Sequence, residues 1–401
     1  MLEGRHFWFV GIGGAGMSAL ALVAREWGAE VRGSDRARSS YVERLEAAGV
    51  PVAIGHDAAN VPDGAEVIVS SAIAPDNPEL AGHAVRRRGE LLAELVALRP
   101  SIVVAGAHGK TTTAGMIAFC LDRLGLDPAF LIGGEIPLLD GNARAGDGWL
   151  VAEGDESDRS LELLRPQIAV VTNVELDHHA EFASESEVRE LFERWLAAAP
   201  SRVRGDELEP VSFELGVPGE HNRRNAAVAV AALELADVPR AAAERVLPEF
   251  RGAGRRFEQL GEAAGVRVFD DYGHHPSEIA ATLAAARSAV DGGRVLVVFQ
   301  PHLYSRTRHL AAELAGALAT ADAVAVTDVY AAREDPVPGV TGKLVVDALA
   351  AQRPGMPVAW TPSLEDAARF LSRRARPGDL VLTIGAGDVE RAGPLVLEEL
   401  G

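Results

Sequence analysis

Three α/β units joined in series are the architecture this sequence predicts. Short apolar runs alternate with helical patterns along most of the chain. A glycine-rich turn, Gly11-Ile12-Gly13-Gly14-Ala15-Gly16, follows the first apolar run, and a Gly109-Lys110-Thr111 loop follows the apolar run 101–105. Strand–helix alternation is the grammar of parallel sheets covered by helices. Both glycine loops stand where a strand passes into a helix, and there backbone N–H groups can meet phosphate.

The first unit, 1–98, is expected to hold strands at His6–Val10, 30–33 and 65–70, with a helix over 15–27. Leu98-Arg99-Pro100 reads as a joint. The second unit, 99–248, opens with a strand at Ser101–Ala105, the Gly-Lys-Thr loop and a helix over 112–124. Strands are expected at 149–153 and 167–172, a helix at Glu185–Ala198, a strand at 210–214 and an Ala-rich helix over 222–235. The Gly- and Arg-rich stretch 248–256 reads as a second joint. The third unit, 249–401, has strands expected at 266–269, 294–299, Ala323–Val326 and Leu380–Ile384.

Composition narrows the class. The chain has 401 residues, 48% apolar and 24% charged, as in proteins that bury a core. A net charge of −19 argues against non-specific binding of nucleic acid or anionic membranes. No apolar run is long enough to span a bilayer, and no signal-peptide pattern opens the chain. The expectation is a cytoplasmic protein without nucleic-acid or membrane partners, monomeric or homodimeric. The lone Cys120 excludes an internal disulfide and lies in a helical apolar pattern, as core filler.

Lysine usage singles out one residue. The chain has thirty-seven arginines and two lysines, Lys110 and Lys343. Lys110 ends Gly106-Ala107-His108-Gly109-Lys110 and is followed by Thr111 and Thr112. Arg is a planar fork and Lys a compact charge on a thin stem, so a tight phosphate loop has room for the second. Lys110 is then placed for the β/γ-phosphates of a nucleotide and a Thr hydroxyl for Mg2+.

Other clusters also stand at strand ends. The first glycine turn with Asp35 beyond the second strand fits NAD, FAD or another nucleotide diphosphate equally. Glu153-Gly154-Asp155-Glu156-Ser157-Asp158 is dense enough in carboxylates to hold Mg2+. Asp177-His178-His179 suits metal ligation, proton transfer or plain surface. Zinc is disfavoured, because neither Cys partners nor H-E-x-x-H spacing accompany it. His221 to Asn225 begins a helix and suits either a purine edge or an N-cap. Asp270 to Pro276 and Phe299 to Arg306 end strands of the third unit. There Arg256 and Arg306 suit a carboxylate, a phosphate or a structural ion pair.

Together these segments resemble the Mur ligases, the ATP-dependent amide-forming enzymes of peptidoglycan synthesis. The resemblance runs from Gly11 to Asp388. Its most specific pieces are Gly106 to Thr112, Glu153 to Asp158, Asp270 to Pro276, and Phe299-Gln300-Pro301-His302 with Tyr304 to Thr307. The last of these marks the alanine-adding branch. The implied fold is an N-terminal Rossmann-like UDP-binding domain, a shortened P-loop ATPase-like central domain and a C-terminal Rossmann-like α/β domain. The implied partners are UDP-N-acetylmuramate, L-alanine and ATP, with Mg2+. By the same resemblance, Gly11, Gly13, Gly14, Gly16, Asp35, His56, Ser70 and Ser71 bind the UDP-sugar. Gly106, Ala107, His108, Gly109, Lys110, Thr111, Thr112, His221, Asn225, Arg256 and Asp271 bind ATP. Thr111, Glu153 and His178 ligate metal. Tyr272, His274, His302 and Arg306 receive the amino acid, and Lys110, His178, His302 and Arg306 are the catalytic set.

The sequence departs from the family at two places. Ala180 stands where the family carries a second Asp, and the span from His178 to His221 is about half the expected length. The absence of any second lysine in the central unit excludes a carbamylated lysine as a metal bridge there. Alternatives to the implied activity are a shortened paralogue with weak or altered activity and an NAD-dependent oxidoreductase.

Overall fold

The computed structural model describes residues 1–70, 72–176, 181–332 and 334–401. Three sheets are built in chain order, each largely parallel. They fall into two compact units, 1–216 with 223–251, and 217–222 with 252–401. The first unit carries two sheets and the second carries one.

The first sheet contains β1 (His6–Val10), β2 (Glu30–Asp35), β3 (Val52–Ile54), β4 (Glu66–Val69) and β5 (Val85–Arg87), in the order β3-β2-β1-β4-β5. All four pairings are parallel. The helices are α1 (Ala15–Glu26), α2 (Ser40–Ala47) and α3 (Arg88–Ala97). From Met17 to Ala24, α1 is buried without a break, which an amphipathic surface helix would not show. The reason is the second sheet beyond it. One apolar cluster runs from Phe7 and Phe9 through Leu20 and Val23 to Leu131 and Leu150. Within it Asn142 donates to Ala15 O at 3.0 Å, satisfying a carbonyl of the helix start.

The second sheet contains β6 (Ser101–Ala105), β7 (Ala129–Ile136), β8 (Gly141–Arg144), β9 (Leu150–Glu153), β10 (Ile168–Val171) and β11 (Ser201–Arg204), with α4 (Lys110–Arg123), α5 (Glu185–Ala198), α6 (Glu220–Leu235) and α7 (Arg240–Val246). The order is β11-β10-β6-β9-β7-β8, and only β7 with β8 is antiparallel. The strand expected at 210–214 is absent. The edge strand is β11, parallel to β10, because α5 returns the chain to the sheet edge at Ser201. α4 starts at Lys110, two residues earlier than expected, because Gly109 at φ +79° turns the chain straight into the helix. Cys120 lies buried in α4, and burial pushes its thiol up to about 12, as befits core filler.

The third sheet contains β12 (Glu258–Ala263), β13 (Val266–Asp271), β14 (Val295–Phe299), β15 (Ala323–Val326), β16 (Val358–Trp360) and β17 (Leu380–Ile384), in the order β12-β13-β17-β14-β15-β16. Its helices are α8 (Pro276–Ala289), α9 (Tyr304–Leu318), α10 (Lys343–Gln352), α11 (Leu364–Ser372) and α12 (Ala392–Leu400). Side chains of β14 alternate between two cores. Val295, Val297 and Phe299 join the cluster with α8, α9 and α10, while Leu296 and Val298 join that with α11 and α12. A strand covered on both faces must read as a continuous apolar run, which is why 295–299 was legible. Among the described residues no helix is long and apolar enough to cross a membrane.

Candidate functional site

The Gly-Lys-Thr loop is delivered by β6, which is buried along its whole length. Gly106 has φ +127°, and a Cβ there would stand 2.2 Å from Thr172 Oγ1. No side chain fits at that point, so the loop lies tight against the end of β10. Thr172 and Asn173 then clasp His108. Thr172 Oγ1 and Asn173 Nδ2 donate to His108 O at 2.6 and 2.9 Å, and Asn173 Oδ1 accepts from His108 N at 2.9 Å. A Cβ at Gly109 would lie 2.4 Å from Asn225 Oδ1, so buried Asn225 on α6 backs the loop. Lys110 Nζ donates to Gly106 O at 2.5 Å and to Ala107 O at 3.3 Å.

The acidic run after β9 is divided among partners. Glu153 accepts from Gly133 N at 2.6 Å and from Thr111 Oγ1 at 3.2 Å. Glu156, 3% exposed, faces Lys110 Nζ at 3.4 Å. Asp155 and Asp158 both bind Arg88 Nη2, at 2.6 and 3.0 Å. Burial works against the Asp155 charge, but the Arg88 and Lys110 cations hold its carboxyl well below the usual range. The run is therefore not one cradle of four carboxylates. Glu153 is the member that pairs with the Thr111 hydroxyl of the loop.

On the first sheet, the ends of β1, β2, β3 and β4 bring together the glycine turn, Asp35, His56 and Ser70. Gly11, Gly13, Gly14 and Gly16 line the turn from β1 into α1. Asp35 accepts from Gly13 N at 2.8 Å and caps that turn. Beneath His56 lies a residue that the sequence did not single out. Glu79 is fully buried and accepts from Asn60 Nδ2 at 2.9 Å, Trp8 Nε1 at 3.3 Å, Asp57 N at 3.3 Å and Ser34 Oγ, and it meets His56 Nδ1 at 3.2 Å. Burial pushes its carboxyl up, and these hydrogen bonds outweigh it to give a net lowering. Its partners come from segments 19 to 71 residues away, so nothing local marked it.

In the second unit, the ends of β13, β14 and β15 carry a row of rings. Two guanidiniums approach the Tyr272 ring, Arg255 at 5.1 Å and Arg256 at 5.2 Å from its centroid. Tyr272 meets His274 edge-on at 5.7 Å, His274 meets His302 at 5.7 Å, and His302 stacks on Tyr330 at 5.9 Å. Tyr330 was not foreseen. It follows β15 and pairs with His302 by backbone, a contact between residues far apart in sequence. Arg306 is 4% exposed and bonds His302 Nδ1 at 3.1 Å. Asp271 accepts from Phe257 N, Gly273 N and Thr282 Oγ1 at 2.9, 2.9 and 3.0 Å. Burial pushes its carboxyl up to about 6, against the pull of Arg256. Burial and the Arg256 cation lower the pKa of His221, with Glu278 opposing, so its ring is neutral at pH 7. His178 and Ser71 lie outside the described residues, as do Asp177, His179 and Ala180.

Three family models match in sequence order. They are the Mur ligase family catalytic domain over 6–99, the Mur ligase middle domain over 104–202, and the Mur ligase glutamate ligase domain over 255–387. A UDP-N-acetylmuramate–L-alanine ligase of Kineococcus radiotolerans is 45% identical across 98% of this chain and 95% of its own length. One of Streptomyces coelicolor is 42% identical across 98% and 97%. That match extends over 450 positions against 401 residues here, so the relative carries segments this chain lacks. The crystal structure of a UDP-N-acetylmuramate–alanine ligase from Thermotoga maritima superposes with a TM-score of 0.83, at 28% identity and 98% coverage of both chains.

Proposed function

The chain belongs to the Mur ligase family, and we propose that it joins L-alanine to the lactyl carboxylate of UDP-N-acetylmuramate at the expense of ATP, in peptidoglycan precursor synthesis. The observation that carries this reading is the near full-length match, on both sides, to relatives named for that reaction. The three family-model matches support a division into three segments, and 1–98 is assigned to the UDP-sugar, 99–248 to ATP and 249–401 to the amino acid.

In this reading the chemistry has two steps. An oxygen of the lactyl carboxylate attacks the γ-phosphorus of ATP, the bond to the β–γ bridging oxygen breaks, and ADP leaves. The alanine amine then attacks the carbonyl carbon of the acyl phosphate, and inorganic phosphate departs as the amine loses a proton. Lys110 lies in the loop that would cradle the phosphates, where its charge stabilises the transferring group. Thr111 Oγ1 and Glu153 Oε2 stand 3.2 Å apart. Neighbouring oxygens around Mg2+ at 2.0–2.1 Å lie about 2.9 Å apart, so the pair fits that ion with little movement. When bound, Mg2+ would neutralise charge on the β- and γ-phosphates. His178 is proposed for a second ion. His221 and Asn225, one turn apart on α6, are proposed for adenine, with Arg256 and Asp271 for the rest of the nucleotide. Arg306 and His302 are proposed to take the alanine carboxylate, with Tyr272 and His274 beside them. A buried guanidinium with an imidazole beside it is suited to bidentate carboxylate capture.

The test is direct. The protein is incubated with UDP-N-acetylmuramate, ATP, Mg2+ and each of L-alanine, L-serine and glycine, and phosphate release and product mass are measured. Phosphate release that depends on L-alanine is expected. Its absence with every amino acid overturns the assignment.

A further inference from the structure

Arg88 begins α3 and belongs to none of the groups assigned above. Gly89 explains how it reaches the acidic run, since a Cβ there would lie 2.4 Å from Ser160 Cβ, just beyond that run. The helix start can approach so closely only as glycine. From this position Arg88 Nη2 is held by Asp155 and Asp158. The other arm of the fork lies against a different element. Nη1 lies 3.1 Å from where a Cβ on Gly16 would stand, against the first turn of α1. The N–H groups of Ala15, Gly16 and Met17 have no acceptor within the helix, and the glycine turn opens toward them.

Resting on the UDP-sugar reading of that turn, we infer that Arg88 is a positioning residue for the sugar nucleotide, its Nη1 edge meeting the diphosphate while Asp155 and Asp158 fix its Nη2 edge. A planar guanidinium can serve two anions on two edges, which an ammonium cannot do with the same geometry. The acidic run that holds Arg88 also holds Thr111 through Glu153 and Lys110 through Glu156. One strap therefore spans from the sugar-nucleotide turn to the ATP loop, and both are built within the same compact unit.

The experiment uses the full chain and two probes, UDP and Mg–ADP, titrated calorimetrically into wild type, Arg88→Ala and Arg88→Lys. Melting curves are recorded for each. Loss of a charge-assisted contact predicts UDP affinity about ten- to a hundred-fold weaker in Arg88→Ala. Arg88→Lys should recover part of that loss, and Mg–ADP affinity should fall at least ten-fold less than UDP affinity. Arg88→Lys leaves a cation beside Asp155 and Asp158, so it reports even if the alanine variant does not fold. Unchanged UDP affinity in the variants overturns the inference alone. Equal losses for UDP and Mg–ADP, accompanied by lower melting, overturn it in favour of a purely structural ion pair. Failure of wild type to bind UDP overturns the sugar-nucleotide reading itself, and this inference with it.

Discussion

Replacing Glu79 with alanine removes a carboxylate that is fully buried and surrounded by donors. Ser34, Trp8, Asn60, His56 and the Asp57 backbone all direct hydrogen bonds at it. Each buried donor left without an acceptor costs about 1–3 kcal/mol, though relaxation and water entry relieve some of them. Breaking a buried charged network by removing one partner typically costs about 3–5 kcal/mol, and that is the expected loss here. In a domain of this size, 1 kcal/mol moves the melting temperature by roughly 2–4 °C, so a fall of about 6–20 °C is expected for the first unit. The sign of the pH dependence gives a second check. The folded pKa of Glu79 lies below its ordinary 4.5, so its stabilisation is present above that value and is lost as pH falls through the folded pKa. The melting difference between wild type and Glu79→Ala should therefore shrink in acid. Calorimetric melts from pH 8 down to about pH 2.5 measure both. A variant that melts within about 2 °C of wild type at pH 7 would refute the account of Glu79 as the hub of this edge.

Two further outcomes are expected. Lys110→Arg keeps the charge but places a wider group in a loop where Nζ already lies 2.5 Å from Gly106 O, so turnover should fall by about a hundred-fold or more. Steady-state phosphate release measures it, and near-wild-type turnover would show that the loop has room for a guanidinium. Asp271, with its carboxyl pushed up to about 6 from 3.8, favours the neutral form in the fold, so its contribution is complete below about pH 4 and declines as pH rises through 6. Stability of wild type relative to Asp271→Asn should therefore fall by roughly 3 kcal/mol across that window and level off above it, and a flat difference would contradict the assigned burial.

Much of the candidate site's framework was legible because it is local. A strand, a tight glycine loop and a helix start lie within a dozen residues in both the 6–16 and 101–112 segments, and their constraints are backbone constraints. The scarcity of lysine made Lys110 stand out in composition alone. Continuous apolar runs such as 295–299 marked strands covered on both faces. The short edge strands β3, β5 and β16 carry no such run, because each is three residues long and partly exposed, and they escaped detection. The strand placed at 210–214 failed for a related reason. A brief alternating pattern there was matched by no neighbour, whereas Ser201–Arg204 lies beside β10.

The sequence by itself determined the family, the serial order of the three sheets, the tight Gly-Lys-Thr loop and the strand-end positions of the polar clusters. Tertiary structure alone decided how charge is shared among them. The run 153–158 looked like a single metal-binding cluster, yet folding divides it between Thr111, Lys110 and Arg88. Glu79, Arg88 and Tyr330 owe their places to partners tens of residues away, and no local pattern encodes such pairings. Local sequence sets backbone geometry, whereas the partner of a buried charge depends on which distant segments the sheet order brings alongside it.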